Sequence, residues 1–264
     1  MKYIRILTIL AVALLLWTTA GCHADFMDDP AVAEPGVHIA DTSRTGFISS
    51  KEDFVDVIGS KVDLSLYQEP DKITDDFHTD YTYHIKEENR TFFVTDYSIT
   101  LSDGTKLILN HPFSELESQG WTIPDPEKSL DPGSMSWYTC KNDRGKELYI
   151  GIWNSTQKPL SVRECAVFQV KLDMFSKSDR FKPISTTPGF TVCETISHTS
   201  GLDEIISQLG PPEIIHYSSG SDPADAEIEL LYNHYGNDYD WIDFYLSADG
   251  DYILNMAFSY IPHE

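Results

Sequence analysis

Two stretches of this chain alternate in side-chain character with a period of two, which an α-helix cannot use. In ELYIGIW (147–153), Leu148, Ile150 and Ile152 alternate with Tyr149, Gly151 and Trp153. In AVFQVKL (166–172), Ala166, Phe168, Val170 and Leu172 alternate with Val167, Gln169 and Lys171. A period of two sends every second side chain to one face, so each stretch reads as a half-buried antiparallel strand.

More strands follow from the same reading: YTYHI (81–85), TFFVTDYSITL (91–101), TKLIL (105–109) and a run near 135–140. Asp103-Gly104 between two apolar runs is a strong hairpin signal. The C-terminal part adds EIIHY, EIELLYN, WIDFYLS and YILNMAFSY, with Ala248-Asp249-Gly250-Asp251 as a hairpin turn. No helical crossover separates these strands, so their sheet should be antiparallel.

Helical periodicity is confined to short segments. In TSGLDEIISQLGPP, Leu202, Ile205, Ile206 and Leu209 form one apolar stripe. Ser200 and Asp203 have the spacing of a capping box, Gly210 suits the helix end, and Pro211 forbids continuation. A helix over 201–209 is too short to persist alone and needs a sheet to pack on. SSKEDFVDVIGS (49–60) predicts a second short helix ending at Gly59, and HPFSELESQGW (111–121) a third, with Pro112 at its first position.

These patterns predict an α+β protein of two modules, each a short helix on an antiparallel sheet. The N-terminal module should span 46–175 and the C-terminal module 188–264, with the polar, proline-containing stretch 176–190 as the boundary. Residues 22–45 are rich in Pro, Ala, Asp and Gly without apolar periodicity and read as a flexible tether.

The first 21 residues read as an export signal. Lys2 and Arg5 precede an uncharged apolar run from Ile6 to Trp17, and small residues then lead to Cys22. The end of that run, Thr19-Ala20-Gly21-Cys22, resembles the bacterial lipoprotein signal, although Thr19 stands where that signal usually has Leu. The resemblance implies cleavage before Cys22, lipidation of its thiol, and an extracytoplasmic protein held on the cell membrane. Cleavage would remove Lys2 and Arg5 and no acid, taking the net charge from −23 to −25. A surface so acidic is repelled by phosphate backbones, which excludes nucleic acid as a partner. Cys140, Cys165 and Cys193 remain, an odd number in no C-x-x-C arrangement. They read as buried small hydrophobes, with one disulfide open among them.

The C-terminal segment resembles the helix-plus-antiparallel-sheet repeat of outer-membrane assembly lipoproteins and β-lactamase inhibitor proteins. Ser200, Asp203, Leu209, Gly210 and Pro212 occupy its motif positions. Stretches of the first half, SDGTKL…FSELESQGW and NDRGKELYIGIWNST, resemble uncharacterised lipoproteins of Gram-positive bacteria. The resemblance implies binding or assembly rather than catalysis.

The chemistry agrees. The chain contains no G-x-S-x-G, no H-E-x-x-H and no P-loop. No catalytic residue, metal ligand or cofactor is therefore assigned. The acidic stretches DPADAEIE (222–229) and GNDYDWIDF (236–244) lack the ligand spacing of an EF-hand.

The candidate site is a sheet face. Ile242, Phe244 and Leu246 should point to the core with Ile228, Leu230 and Tyr232, and with Leu254, Met256 and Phe258. The opposite face then carries Trp241, Asp243, Tyr245, Glu229 and Leu231, aromatic rings among carboxylates, as binding surfaces use them. Either this face is exposed and binds another envelope protein, or it packs against the first half of the chain. Capture of a cell-wall glycan or of Ca²⁺ is the alternative function.

Overall fold

The computed structural model describes residues 58–74, 79–91, 97–176, 179–218, 226–233 and 240–262. All of them belong to one compact unit, Ile39–Glu264.

In chain order the first elements are β1 (Asp71–Thr74), β2 (Thr79–His84), β3 (Ser98–Leu101), β4 (Lys106–Ile108), β5 (His111–Pro112) and α1 (Phe113–Glu117). Then come β6 (Trp121–Thr122), β7 (Ser129–Leu130), β8 (Met135–Asn142), β9 (Glu147–Trp153), β10 (Leu160–Ser161) and β11 (Ala166–Asp173). The last are β12 (Phe175–Ser176), β13 (Asp179–Pro183), β14 (Phe190–Val192), β15 (Ile196–Ser197), α2 (Leu202–Leu209), β16 (Ile214–Ser218), β17 (Glu227–Asn233), β18 (Trp241–Ser247) and β19 (Ile253–Ser259).

The expected antiparallel, sheet-rich fold with short helices is what the structure shows. Among the described residues, one sheet runs β1-β2-β16-β17-β18-β19-β11-β9-β8-β6, with β5 pairing the start of β11. A smaller sheet runs β15-β14-β3-β4. Strands from both expected modules meet in these sheets: β2 pairs β16, β3 pairs β14, and β11 pairs β19. The stretch expected as a boundary forms the β12–β13 pair. Alternation says which face a strand buries but not which neighbour it takes, so pairing between the halves was invisible to it.

One face of the large sheet is the core. Across neighbouring strands the register aligns Tyr83, Ile215, Leu230, Phe244, Met256 and Leu172, all buried. Phe113 and Leu116 of α1, Leu202 and Ile205 of α2, and Ile99, Leu107, Phe190 and Val192 of the small sheet join the same buried cluster. Tyr97, next to β3, stacks on Phe258 of β19 with ring centroids 5.9 Å apart.

Two bulges revise the predicted faces. Between Tyr245 and Leu246 the register shifts, so Leu246 lies opposite Ile253 rather than Leu254. Between Val167 and Gln169 of β11 a second shift puts Val167 opposite core residue Ile152. The extra residue, Phe168, turns to the opposite face instead of the core, and Ala166 is only half-buried. A bulge inserts one residue on one strand and inverts the alternation beyond it.

Helix α2 carries the expected stripe and ends at Gly210, whose φ of 79° suits glycine. Its start differs. The N-cap is Gly201, with no side-chain cap. Buried Ser200 instead accepts the Ser197 N–H at its Oγ, 3.0 Å away. The first turn is held by the β18–β19 turn, where Leu202 N–H donates to Gly250 O at 2.7 Å. A Cβ at position 201 would lie 3.0 Å from Gly250 O, so the close approach favours glycine. Pro112 likewise precedes its helix: it is the N-cap of α1 rather than its first residue.

The Asp103-Gly104 hairpin forms between β3 and β4, with Asp103 Oδ1 accepting the Thr105 N–H at 2.9 Å. Of the helix expected over 49–60, only Ile58, Gly59 and Ser60 are described; the first two are helical, and Ile58 is buried. The leader with Cys22 and the tether lie outside the described residues. No disulfide joins Cys140, Cys165 and Cys193; the first two are buried. No helix among the described residues is long and apolar enough to cross a membrane.

Candidate functional site

Opposite the core, the large sheet presents a second face, on which the register gathers every residue predicted for the site. Leu231, Asp243, Ala257, Lys171, Tyr149 and Thr139 follow one another across six strands. A parallel row carries His216, Glu229, Tyr245, Asn255 and Asp173. A third carries Trp241, Ser259, Gln169, Gly151 and Trp137. Because side chains alternate along a strand, these rows share a face.

The predicted residues form a half-buried centre. Trp241, Tyr245, Glu229 and Leu231 are half-buried, and Asp243 is only 7 % exposed. Tyr245 Oη donates to Glu229 Oε1 at 3.0 Å. Burial first, and the Glu229 carboxylate second, push the Asp243 carboxyl up to about 8; the Tyr245 hydrogen bond and the charge of Lys171 act against this. Asp243 Oδ1 has no hydrogen-bond partner among the described residues. The Tyr245 hydroxyl is pushed upward too, by burial and then by Asp243 and Glu229. Burial and a carboxylate neighbour thus hold the Asp243 carboxyl well above the ordinary carboxylate range.

The open aromatic surface lies further along the same face; the alternation in 147–153 had phased Tyr149 away from the core, but no residue of this surface was carried into the predicted site. Trp137 is 43 % exposed, Tyr149 44 % and Met135 39 %. Trp137 lies opposite Gly151, and Met135 opposite Trp153. The bulged Phe168 packs beneath Trp137 with centroids 5.0 Å apart. A Cβ on Gly151 would come within 2.7 Å of Phe168 and 3.1 Å of Trp137, so glycine leaves the space into which the rings settle. Trp137 is therefore packed against Phe168 at a tilt of 44° while 43 % of its surface stays exposed.

Among the described residues, no group of three or more His, Cys, Asp or Glu side chains is placed to hold a metal ion. Residues 222–225 and 236–239 of the two acidic stretches lie outside the described residues. Asp240 is buried and accepts the Tyr97 hydroxyl at 3.3 Å. In the Asn154-Ser155-Thr156 triplet, buried Asn154 binds Leu130 O and Lys158 O through Nδ2, at 2.8 and 2.9 Å, and so holds the loop after β9.

No protein-family model, curated protein or solved structure matches the chain.

Proposed function

We propose that this chain is a non-enzymatic lipoprotein of the extracytoplasmic membrane surface, anchored through Cys22, which binds another envelope protein with the outer face of its large sheet. The exposure of Trp137 and Tyr149 on the same face as Trp241 and Tyr245 carries this reading. Large aromatic side chains rarely stay open in contiguous groups on a monomer without a binding role. The half-buried Trp241–Asp243–Tyr245–Glu229–Leu231 centre stiffens that face, and the open aromatics supply its contact area. The lipoprotein-type leader and the tether over 22–45 are the sequence features behind the anchoring.

The test uses the full chain in membranes. Trp137→Ala with Tyr149→Ala should abolish co-purification of a defined envelope protein while the chain still unfolds cooperatively. Retention of every co-purifying protein would refute the face. Cys22→Ser should release the protein or leave its precursor uncleaved; a mature, membrane-held Cys22→Ser protein would refute the anchor.

A second reading, capture of a cell-wall glycan, is favoured by one feature. Trp137 is an exposed aromatic ring held against Phe168, and such a ring is a surface on which a sugar can stack. A change in tryptophan fluorescence on adding soluble muropeptides, lost in Trp137→Ala, would select this reading over the first.

A further inference from the structure

Strand β8 has β9 along its whole length on one side, but on the other side β6 pairs only with Lys141 and Asn142. From Met135 to Cys140 that second edge has no strand among the described residues.

The phase of the ladder shows which backbone groups face this edge. Asn142 N–H donates to Lys146 O at 3.1 Å, and Asn154 N–H donates to Ser134 O at 3.0 Å. Even-numbered residues of β8 therefore bond toward β9. Hydrogen-bonded and non-bonded pairs alternate in an antiparallel ladder, so the odd-numbered residues direct N–H and C=O the other way. Lys141 O agrees, since it accepts the Thr122 hydroxyl from the β6 side at 3.1 Å. The open donors and acceptors thus belong to Met135, Trp137 and Thr139, whose side chains are also exposed.

Natural edge strands are usually blunted by lysine, proline or inward charge. GSMSWYTC (133–140) has none of these, and no acid, in a chain of net charge −23.

We propose that β8 pairs antiparallel with β8 of a second copy of this chain, about a two-fold axis at Trp137. The register follows from the ends of the open run. β6 occupies the edge from Lys141 onward, and the turn closed by Ser134 N–H to Asp131 O precedes the strand. The outward residues are 135, 137 and 139, so their centre is Trp137. A two-fold contact is self-complementary: each copy's three outward N–H and C=O groups meet the same set on the other. Trp137 faces Trp137 of the second copy, an aromatic cross-strand pair, and Met135 faces Thr139. No carboxylate meets another within the contact. The repulsion between two acidic bodies is long-range and screened over about 8 Å at physiological ionic strength. Pairing therefore strengthens with added salt, whereas docking of a basic foreign strand would weaken.

Disulfide trapping of the full chain in its native membrane tests this. Directly opposed residues of a bonded pair have Cα atoms about 5.5 Å apart, within disulfide reach. Positions 135 and 139 of one strand are about 13 Å apart and cannot bridge within a copy. Mild oxidation of M135C/T139C should give a band of twice the protein's mass, more intense at higher salt. That band should be absent from the wild type and from Lys158→Cys, an exposed position elsewhere. Adding Trp137→Pro, which removes an outward N–H, should abolish it. No band from M135C/T139C would overturn the proposal, provided its melting matches the wild type. So would an equal band from Lys158→Cys, or a cross-linked band whose mass is not twice that of the chain.

Discussion

Tyr245 donates its hydroxyl proton to Glu229 across two neighbouring strands at 3.0 Å, on the sheet face where Asp243 lies 7 % exposed between β17 and β19. The pair leaves Asp243 as the odd carboxyl of the group. It has little solvent, a carboxylate neighbour, and one oxygen without a partner among the described residues.

The Asp243 environment predicts a pH-dependent stability. Its carboxyl is raised from the ordinary value near 3.8 to about 8 in the folded protein. Between those values the folded state holds a proton that the unfolded state has lost. Stability therefore falls as pH rises through this window and levels off above it. Asp243→Asn keeps the shape and removes the titration. The variant should melt higher than the wild type at pH 8.5 and nearly level with it at pH 4 in calorimetry, with a flatter profile between.

Gly151 predicts a packing defect. In Gly151→Ala the new methyl meets Phe168 at 2.7 Å and Trp137 at 3.1 Å. The closest clash is with the buried Phe168 ring, which must shift and disturb Trp137 packed against it. A loss of about 1–3 kcal/mol in denaturant unfolding is expected, as for overpacked sites generally, with a red-shifted tryptophan emission.

Phe244 sits at the middle of the core face, edge-on to Tyr232 with centroids 6.2 Å apart. Phe244→Ala should cost about 3–5 kcal/mol of unfolding free energy, from lost burial and the cavity left behind. Tyr245→Phe, on the other face of the same strand, removes only a half-exposed hydroxyl bond and should cost about 1 kcal/mol. Chemical denaturation of the two variants separates the faces.

The cysteines predict a thiol-reactivity pattern. Burial pushes the Cys140 thiol up to about 12, and the buried Cys165 thiol moves the same way. Neither forms a thiolate in the folded protein at neutral pH. In a Cys22→Ser chain, Ellman's reagent should titrate Cys193 first and reach the other two only on unfolding. Fast labelling of all three in the folded state would contradict the packing.

Much of the site was legible before the structure, because β17 and β18 are regular. Alternation alone put Glu229, Leu231, Trp241, Asp243 and Tyr245 on one face, and the register bears this out. It did not give their exposure, which depends on neighbouring strands. Trp137 and Tyr149 belong to the same face only because β11 and β19 join the two halves of the sheet. The misplacement of Phe168 has a local cause: one bulge between Val167 and Gln169 reverses the phase of a strand that otherwise reads perfectly.

By itself the sequence determined the long regular strands and most of their faces, the β3–β4 turn and the apolar stripe of α2. Each of these depends on residues within a few positions of one another. Only the tertiary structure decided that strands of both halves share one sheet, that Ser200 turns back to Ser197 while Gly201 caps the helix, and that β8 has no second neighbouring strand over 135–140 among the described residues. Those outcomes depend on which distant backbone groups meet, and a side-chain pattern carries almost no information about its hydrogen-bonding partner.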